Sequence, residues 1–543
     1  MKIKFFFLCW LAINTLSAQP NRSALIPLPN RIEQKTGGEV FRVSGRTALY
    51  INSPELAFAA RTLQNVFHER MGVRPETVSS AKAPVRLLLD TSLQGDERYI
   101  LDVGKNGITI TGATPGAVYY GVVTLEQVLL GDECRARTNE IAGIKIDDAP
   151  RLAYRALMLD PARHFFPVED VKFFIDRMSK YKYNVLQLHL TDDQGWRVEI
   201  KKYPQLTQIG AFRDANSGSN GPENGFYTQE QLKELVRFAA ERNVEIVPEL
   251  DIPGHTVAVL AAYPELGCTH TDTLPKVMGK TVDMVVCAAN EKVYGLYRDV
   301  IAELAPIFPS KRIHLGGDEA IIDKNWPRCA RCSALMKEKG YTQASQVMGY
   351  FFEKMLSFVE ENGKEPMLWC ELDAVRPPAT GFLFDYPESV TLVSWRGGLT
   401  PTCIELTAQS GNPLIMAPGE YAYLDYPQWK NDLPEYDNWG MPVTPLETTY
   451  RFDPGYGLPA AGQAHIVGVM GTLWSEAMKD MNRVTYMAYP RALALAEAGW
   501  TQMEFRSWDS FKERMYPNLL DMMKHGVSVR VPFEIVDRKP LSD

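Results

Sequence analysis

From about residue 149 the chain repeats one pattern: an apolar strand-like segment, a polar loop, then an amphipathic helix. The strand candidates are Ala153 to Leu159, Asn184 to Leu190, Val244 to Leu250, Arg312 to Gly316, Pro366 to Trp369, Thr391 to Trp395, Pro413 to Ala417 and Ile466 to Trp474. Helical periodicity separates most of them, as in Val168 to Tyr181, Thr228 to Arg242 and Ser345 to Asn362. Eight such strands over about 350 residues predict a (β/α)8 TIM barrel. The 543-residue chain is longer than a barrel needs. The expected fold class is therefore α/β, with residues 19–148 forming a smaller α+β domain and residues 149–543 the barrel with a C-terminal helical tail. In the first domain GITITG (Gly107 to Gly112) alternates like a strand, and Ala113 to Leu130 reads as a helix. No sequence repeat of fixed period is visible.

Composition narrows the partners. Apolar content of 45% is ordinary for a globular chain, and the net charge is −8. No basic run interleaves with aromatics, so nucleic acid is not an expected partner. Residues 1–18 read as a secretory signal: Lys2 and Lys4, an apolar run from Phe5 to Ile13, and Leu16-Ser17-Ala18 as a cleavage site. That run is too short to span a bilayer, and no second stretch of about 18 apolar residues follows. The expectation is an exported protein, periplasmic or extracellular, without a membrane span.

Seven cysteines follow the leader: Cys134, Cys268, Cys287, Cys329, Cys332, Cys370 and Cys403. An odd count leaves at least one thiol over. Cys268 and Cys287 flank one loop and could pair. Cys329 and Cys332 form CARC; zinc would need four ligands and no second C-x-x-C exists, so the expectation is a local disulfide or inert thiols, with no metal. The chain also lacks HExxH, which excludes that class of zinc protease.

Chemistry in such barrels sits at the carboxyl ends of the strands. Those ends carry Asp160, Arg163 and His164 in LDPARHFF, Asp192 and Asp193 in HLTDDQGWR, and Glu249, Asp251 and His255 in PELDIPGH. The fourth strand runs into HLGGDEA, where two glycines precede Asp318 and Glu319. The fifth and sixth end in Trp369 and Trp395, the loop after the seventh holds Tyr423 and Asp425, and the eighth ends in Trp474 and Glu476. A lone Asp–Glu pair is an ordinary solvated turn. Ligand-type residues at eight successive strand ends are not.

This set resembles the β-N-acetylhexosaminidases of glycoside hydrolase family 20, through LDPARHFF, HLTDDQGWR, PELDIPGH, HLGGDE, YLD and GTLWSE in that order, with PRALALAEAGW (Pro490 to Trp500) similar to the family's final helix. The resemblance covers about Leu152 to Trp500. It implies a catalytic barrel that releases terminal GlcNAc or GalNAc from N-acetylhexosamine-terminated glycans, without a cofactor, by retaining catalysis in which the substrate's 2-acetamido oxygen attacks the anomeric carbon. On that reading Glu319 is the general acid/base, Asp318 holds the acetamido N–H, and Tyr423 donates to the acetamido oxygen. Trp369, Trp395 and Trp474 wall the sugar pocket. Arg163 donates to ring hydroxyls. Asp425 and Glu476 accept from the outer hydroxyls, which would close the pocket and make the enzyme exo-acting. Asp192 and His255 orient Glu319. Two alternatives share these residues: a carbohydrate-binding protein with weak catalysis, and a disaccharide-releasing enzyme of the same family.

Overall fold

The computed structural model describes residues 24–133, 139–213, 224–268, 277, 283–430 and 441–532. The leader read at residues 1–18 and Cys134 lie outside the described residues. No helix among the described residues is long and apolar enough to cross a membrane.

Eight parallel strands close into a barrel: Tyr154–Leu159, Val185–His189, Glu245–Ile252, Arg312–Gly316, Glu365–Trp369, Thr391–Ser394, Leu414–Met416 and Ile466–Leu473. The eighth pairs with the first, Tyr154 opposite Gly468 and Leu159 opposite Leu473. Each expected strand is present, within two residues at most ends. Strand alternation sorts the side chains into two cores. Tyr154, Ala156, Met158, Val247, Met367 and Met470 fill the barrel interior. Leu157, Leu159, Leu186 and Leu188 pack outward on the helices. The helices begin where local chemistry allows it. Thr228, for example, accepts from the Gln231 backbone N–H while the Gln231 side chain returns to the Thr228 backbone, capping Gln229–Glu241.

The first domain is a seven-stranded mixed sheet. Its order is Arg31–Gln34, Ile144–Asp148, Tyr99–Gly104, Gly107–Gly112, Val85–Leu89, Ala48–Ile51 and Glu76–Thr77. Helices Ala57–Met71 and Pro115–Glu133 pack against it. The second starts two residues later than its periodicity suggests, because Thr114 lies outside the helix and its hydroxyl takes the Ala117 N–H.

The core of this domain includes Trp500, the last residue of the barrel helix Arg491–Trp500. Beside it Asp148 Oδ2 accepts from Tyr99 Oη at 2.7 Å, Trp500 Nε1 at 2.9 Å and Lys182 Nζ at 3.2 Å. Asp148 and Lys182 side chains are both fully buried. Burial pulls the Lys182 ammonium below its ordinary pKa, and Asp148 opposes that pull. Removing one partner from such a pair leaves an uncompensated charge. Asp148→Ala should therefore lower unfolding free energy by about 3–5 kcal/mol, read as a shifted urea midpoint. A loss below about 1 kcal/mol would mean that the pair does not hold the domains together.

Candidate functional site

The fourth strand leaves the barrel through Gly316 and Gly317, at φ +64° and +100°. A Cβ on Gly316 would sit 1.8 Å from Asp251 Oδ1, so no other residue fits there. The same Asp251 oxygen accepts the Gly317 N–H at 3.2 Å. Glu319 follows at φ +50°, and His255, after the third strand, sits at +53°. Left-handed backbone at a non-glycine residue is strained by about 1–3 kcal/mol and gathers at functional sites. The turn separates the two acids: Asp318 is 8% exposed, whereas the Glu319 side chain is 51% exposed. Glu319 is thus half-buried, carried by the fourth loop to the rim of a cavity.

That cavity, about 620 Å3, is lined by Glu319, His255, Glu371, Arg396, Asp283 and Ile321 among others. His255 Nε2 stands 3.9 Å from both Asp318 Oδ2 and Glu319 Oε2. Its Nδ1 is 3.2 Å from Asp192 Oδ1. Asp192 Oδ2 in turn takes Arg163 Nη2 at 2.7 Å and His189 Nε2 at 2.9 Å. Burial opposes the charge on each of these groups, but mutual pairing wins. His255 is held well above its ordinary pKa by Asp192 and Asp251, and Asp192 well below its own by Arg163 and His255. Asp318 is pushed upward by burial, with His255 pulling the other way. Asp251 is pushed up further, by burial and by Asp318.

The aromatic residues assemble beside this network. Trp395 and Tyr423 are near parallel, 7° apart, with centroids 6.5 Å apart. Trp474 lies 6.5 Å from Tyr423 and 5.7 Å from Trp369. Trp369 Nε1 donates to Glu249 at 2.8 Å and Trp395 Nε1 to Glu371 at 3.0 Å, which fixes both indoles. Arg163 lies over the Trp474 ring at 4.9 Å, but its terminal nitrogens also serve Asp160 and Asp192. It is an ion-pair hub as well as a candidate sugar contact. Glu476, a third exposed, is 3.9 Å from Arg163. Asp425 is 8% exposed and pushed well up by burial and by Glu476. One oxygen each of Asp318 and Asp425, the Oδ1 atoms, is buried without a hydrogen-bond partner. Trp326 is buried, donates to the Val286 carbonyl and belongs to the core.

Two charged residues outside the expected set also reach the site. Glu371 lies two residues past Trp369, and Arg396 directly follows Trp395. Arg396 bonds Glu371 Oε2 at 3.0 Å, stacks on Trp395 at 4.0 Å and lies 3.8 Å from Glu319 Oε1. A charged residue close behind each strand-end tryptophan was the available signal. Of the two cysteine alternatives, the disulfides are not formed and the free thiols are. None of the six described cysteines is in a disulfide, so neither Cys268–Cys287 nor Cys329–Cys332 is joined.

Residues 152–503 match the family model described as glycosyl hydrolase family 20, catalytic domain, and residues 22–149 match its domain 2. A β-hexosaminidase of Akkermansia muciniphila is 38% identical over 82% of this chain and 87% of its own. A β-N-acetylhexosaminidase of Cellulomonas fimi is 31% identical over 91% and 92%. The solved structure of a mutant Streptomyces plicatus β-hexosaminidase in complex with its product GlcNAc superposes with a TM-score of 0.80 at 31% identity, covering 94% of this chain and 98% of that one.

Burial raises the Glu371 carboxyl to about 7 from 4.5, against the pull of Arg396. A raised folded-state pKa gives stability that is fully present below the unfolded value and is lost as pH rises through the folded one. Relative to Glu371→Gln, the native chain should therefore lose on the order of 3 kcal/mol of stability between pH 4.5 and 7. Unfolding both proteins across that range measures it, and a difference that stays flat or grows with pH removes the assignment.

Proposed function

The chain belongs to glycoside hydrolase family 20, and from that premise we propose that it is an exo-acting β-N-acetylhexosaminidase releasing terminal GlcNAc or GalNAc by substrate-assisted catalysis. One observation carries the reading. Asp318 and Asp425 each hold a buried oxygen without a protein donor. Buried acceptors are normally satisfied. Two such oxygens, one just past the fourth strand and one in the loop after the seventh, suit the N–H and O–H donors of an amino sugar.

In this mechanism Asp318 accepts the acetamido N–H, and Tyr423 donates to the acetamido oxygen, aiming it at the anomeric carbon. The developing cationic ring favours the Asp318 anion, against the upward push of its burial. Glu319, at the cavity rim, gives a proton to the leaving oxygen and takes one back from water. The scheme differs from retaining catalysis by two carboxyls about 5–5.5 Å apart, where one is the nucleophile. His255, charged and held by Asp192, fixes both acids from one side, and Arg396 flanks Glu319 from the other. The tryptophans exclude water, which strengthens these polar contacts. Arg163 donates to ring hydroxyls, while Asp425 and Glu476 accept from the outer hydroxyls and end the pocket after one sugar. Export by the leader at residues 1–18 belongs to the same proposal.

Glu319→Gln should lower kcat on an aryl GlcNAc by roughly 10²–10⁴ with KM little changed. Near-native turnover of that variant on a substrate with a poor leaving group rejects the acid role. The native enzyme should hardly turn over the corresponding aryl glucoside, which lacks the acetamido group. Comparable rates on the two would reject participation by that group.

A further inference from the structure

Besides the one C-x-x-C, five cysteines are scattered through the chain after the leader, among them Cys268 and Cys287. The fold brings Cys268 and Cys287 to the C-x-x-C pair. The sulfurs of Cys268, Cys287, Cys329 and Cys332 lie within 4.8 Å of one another. Cys287 Sγ is 3.7 Å from Cys329 Sγ and 3.5 Å from Cys332 Sγ. Tetrahedral coordination with zinc–sulfur bonds of about 2.3 Å requires sulfur–sulfur edges of about 3.8 Å. The observed spacings are close to that edge. Cys287 stands almost equally far from both CARC sulfurs, as a vertex of a tetrahedron does.

We propose that these four cysteines bind one zinc ion in a closed, structural, all-thiolate site. Cys287, Cys329 and Cys332 are fully buried and Cys268 is 8% exposed, which leaves no open position for substrate or water. The CARC pair also sits where thiolates are favoured. Cys329 is the N-cap of the ten-residue helix Ala330–Lys339 and Cys332 lies in its first turn, where the helix dipole stabilises negative charge.

The place of the cluster gives the ion a task. Cys268 and Cys287 belong to the excursion between the third and fourth strands, which begins with His255. Cys329 and Cys332 belong to the one after the fourth strand, which begins with Asp318 and Glu319. Other contacts already run between these two segments. Trp326 Nε1 donates to Val286 O at 3.0 Å, and Asn325 Nδ2 to Asp283 O at 3.2 Å. Asp283 and Ile321 to Lys324 line the cavity that holds Glu319. Zinc would thus clamp together the two loops that form one wall of that cavity. This inference does not depend on the catalytic roles above.

Metal analysis of the full chain, purified without a metal-binding tag, tests it. About one zinc per chain is expected, released only on chelation under denaturing conditions. Cys268→Ser and Cys332→Ser should each lose the metal, and Cys403→Ser, outside the cluster, should keep it. If the serine variants fail to fold, native protein refolded with Co2+ should show sulfur-to-cobalt charge transfer and tetrahedral d–d absorption. Removing the ion should lower the thermal midpoint and reduce kcat/KM. Peptide mapping that finds Cys268–Cys287 and Cys329–Cys332 disulfides in metal-free protein would overturn the proposal. So would four reduced thiols that take up neither zinc nor cobalt.

Discussion

The Asp192 carboxylate ties the ends of three strands together. It is fully buried, and a bare carboxylate there would be prohibitively unfavourable. It persists because Arg163 comes from the first strand end, His189 from the second strand and His255 from beyond the third. Through His255 the same charge reaches Asp318 and Glu319 on the fourth. Four successive strand ends are thereby locked into one electrostatic unit. The apolar interior beneath it fixes where the strands are but leaves side-chain ionisation open. Asp192 bears on that, raising the proton affinity of His255 beside the two acids and pairing with Arg163, which lies over Trp474.

The barrel was legible because its signal is local. A strand followed by an amphipathic helix can be read in a window of about 15 residues; that pairing recurs for most of the strands, although among the described residues no helix lies between Trp369 and Thr391. The site residues were legible because barrel geometry brings strand ends together whatever their separation in sequence. What escaped was anything set by three-dimensional neighbours. Glu371 and Arg396 look like ordinary loop charges until the fifth and sixth strand ends are seen side by side. The exposure of Glu319 follows from a left-handed turn, which the two glycines hint at without fixing. Cys268 and Cys287 fall more than forty residues before the CARC pair, and only the packing of two loops makes them neighbours.

The boundary near residue 150 marks a change of rhythm, yet packing runs across it. Trp500 closes the last barrel helix and is also a core residue of the preceding sheet. Arg155 on the first barrel strand lies 4.9 Å over that indole and pairs with Glu97 of the sheet domain at 2.8 Å. Asp148, the final residue of a sheet strand, receives Lys182 and Trp500 from the barrel. A gene fragment cut at the apparent seam would yield a barrel with a bare indole and two stranded cations, Arg155 and Lys182, on a face built to be dry. The sheet domain thus shields the buried charges and the indole of the barrel face it packs on, so that face depends on the sheet to stay dry.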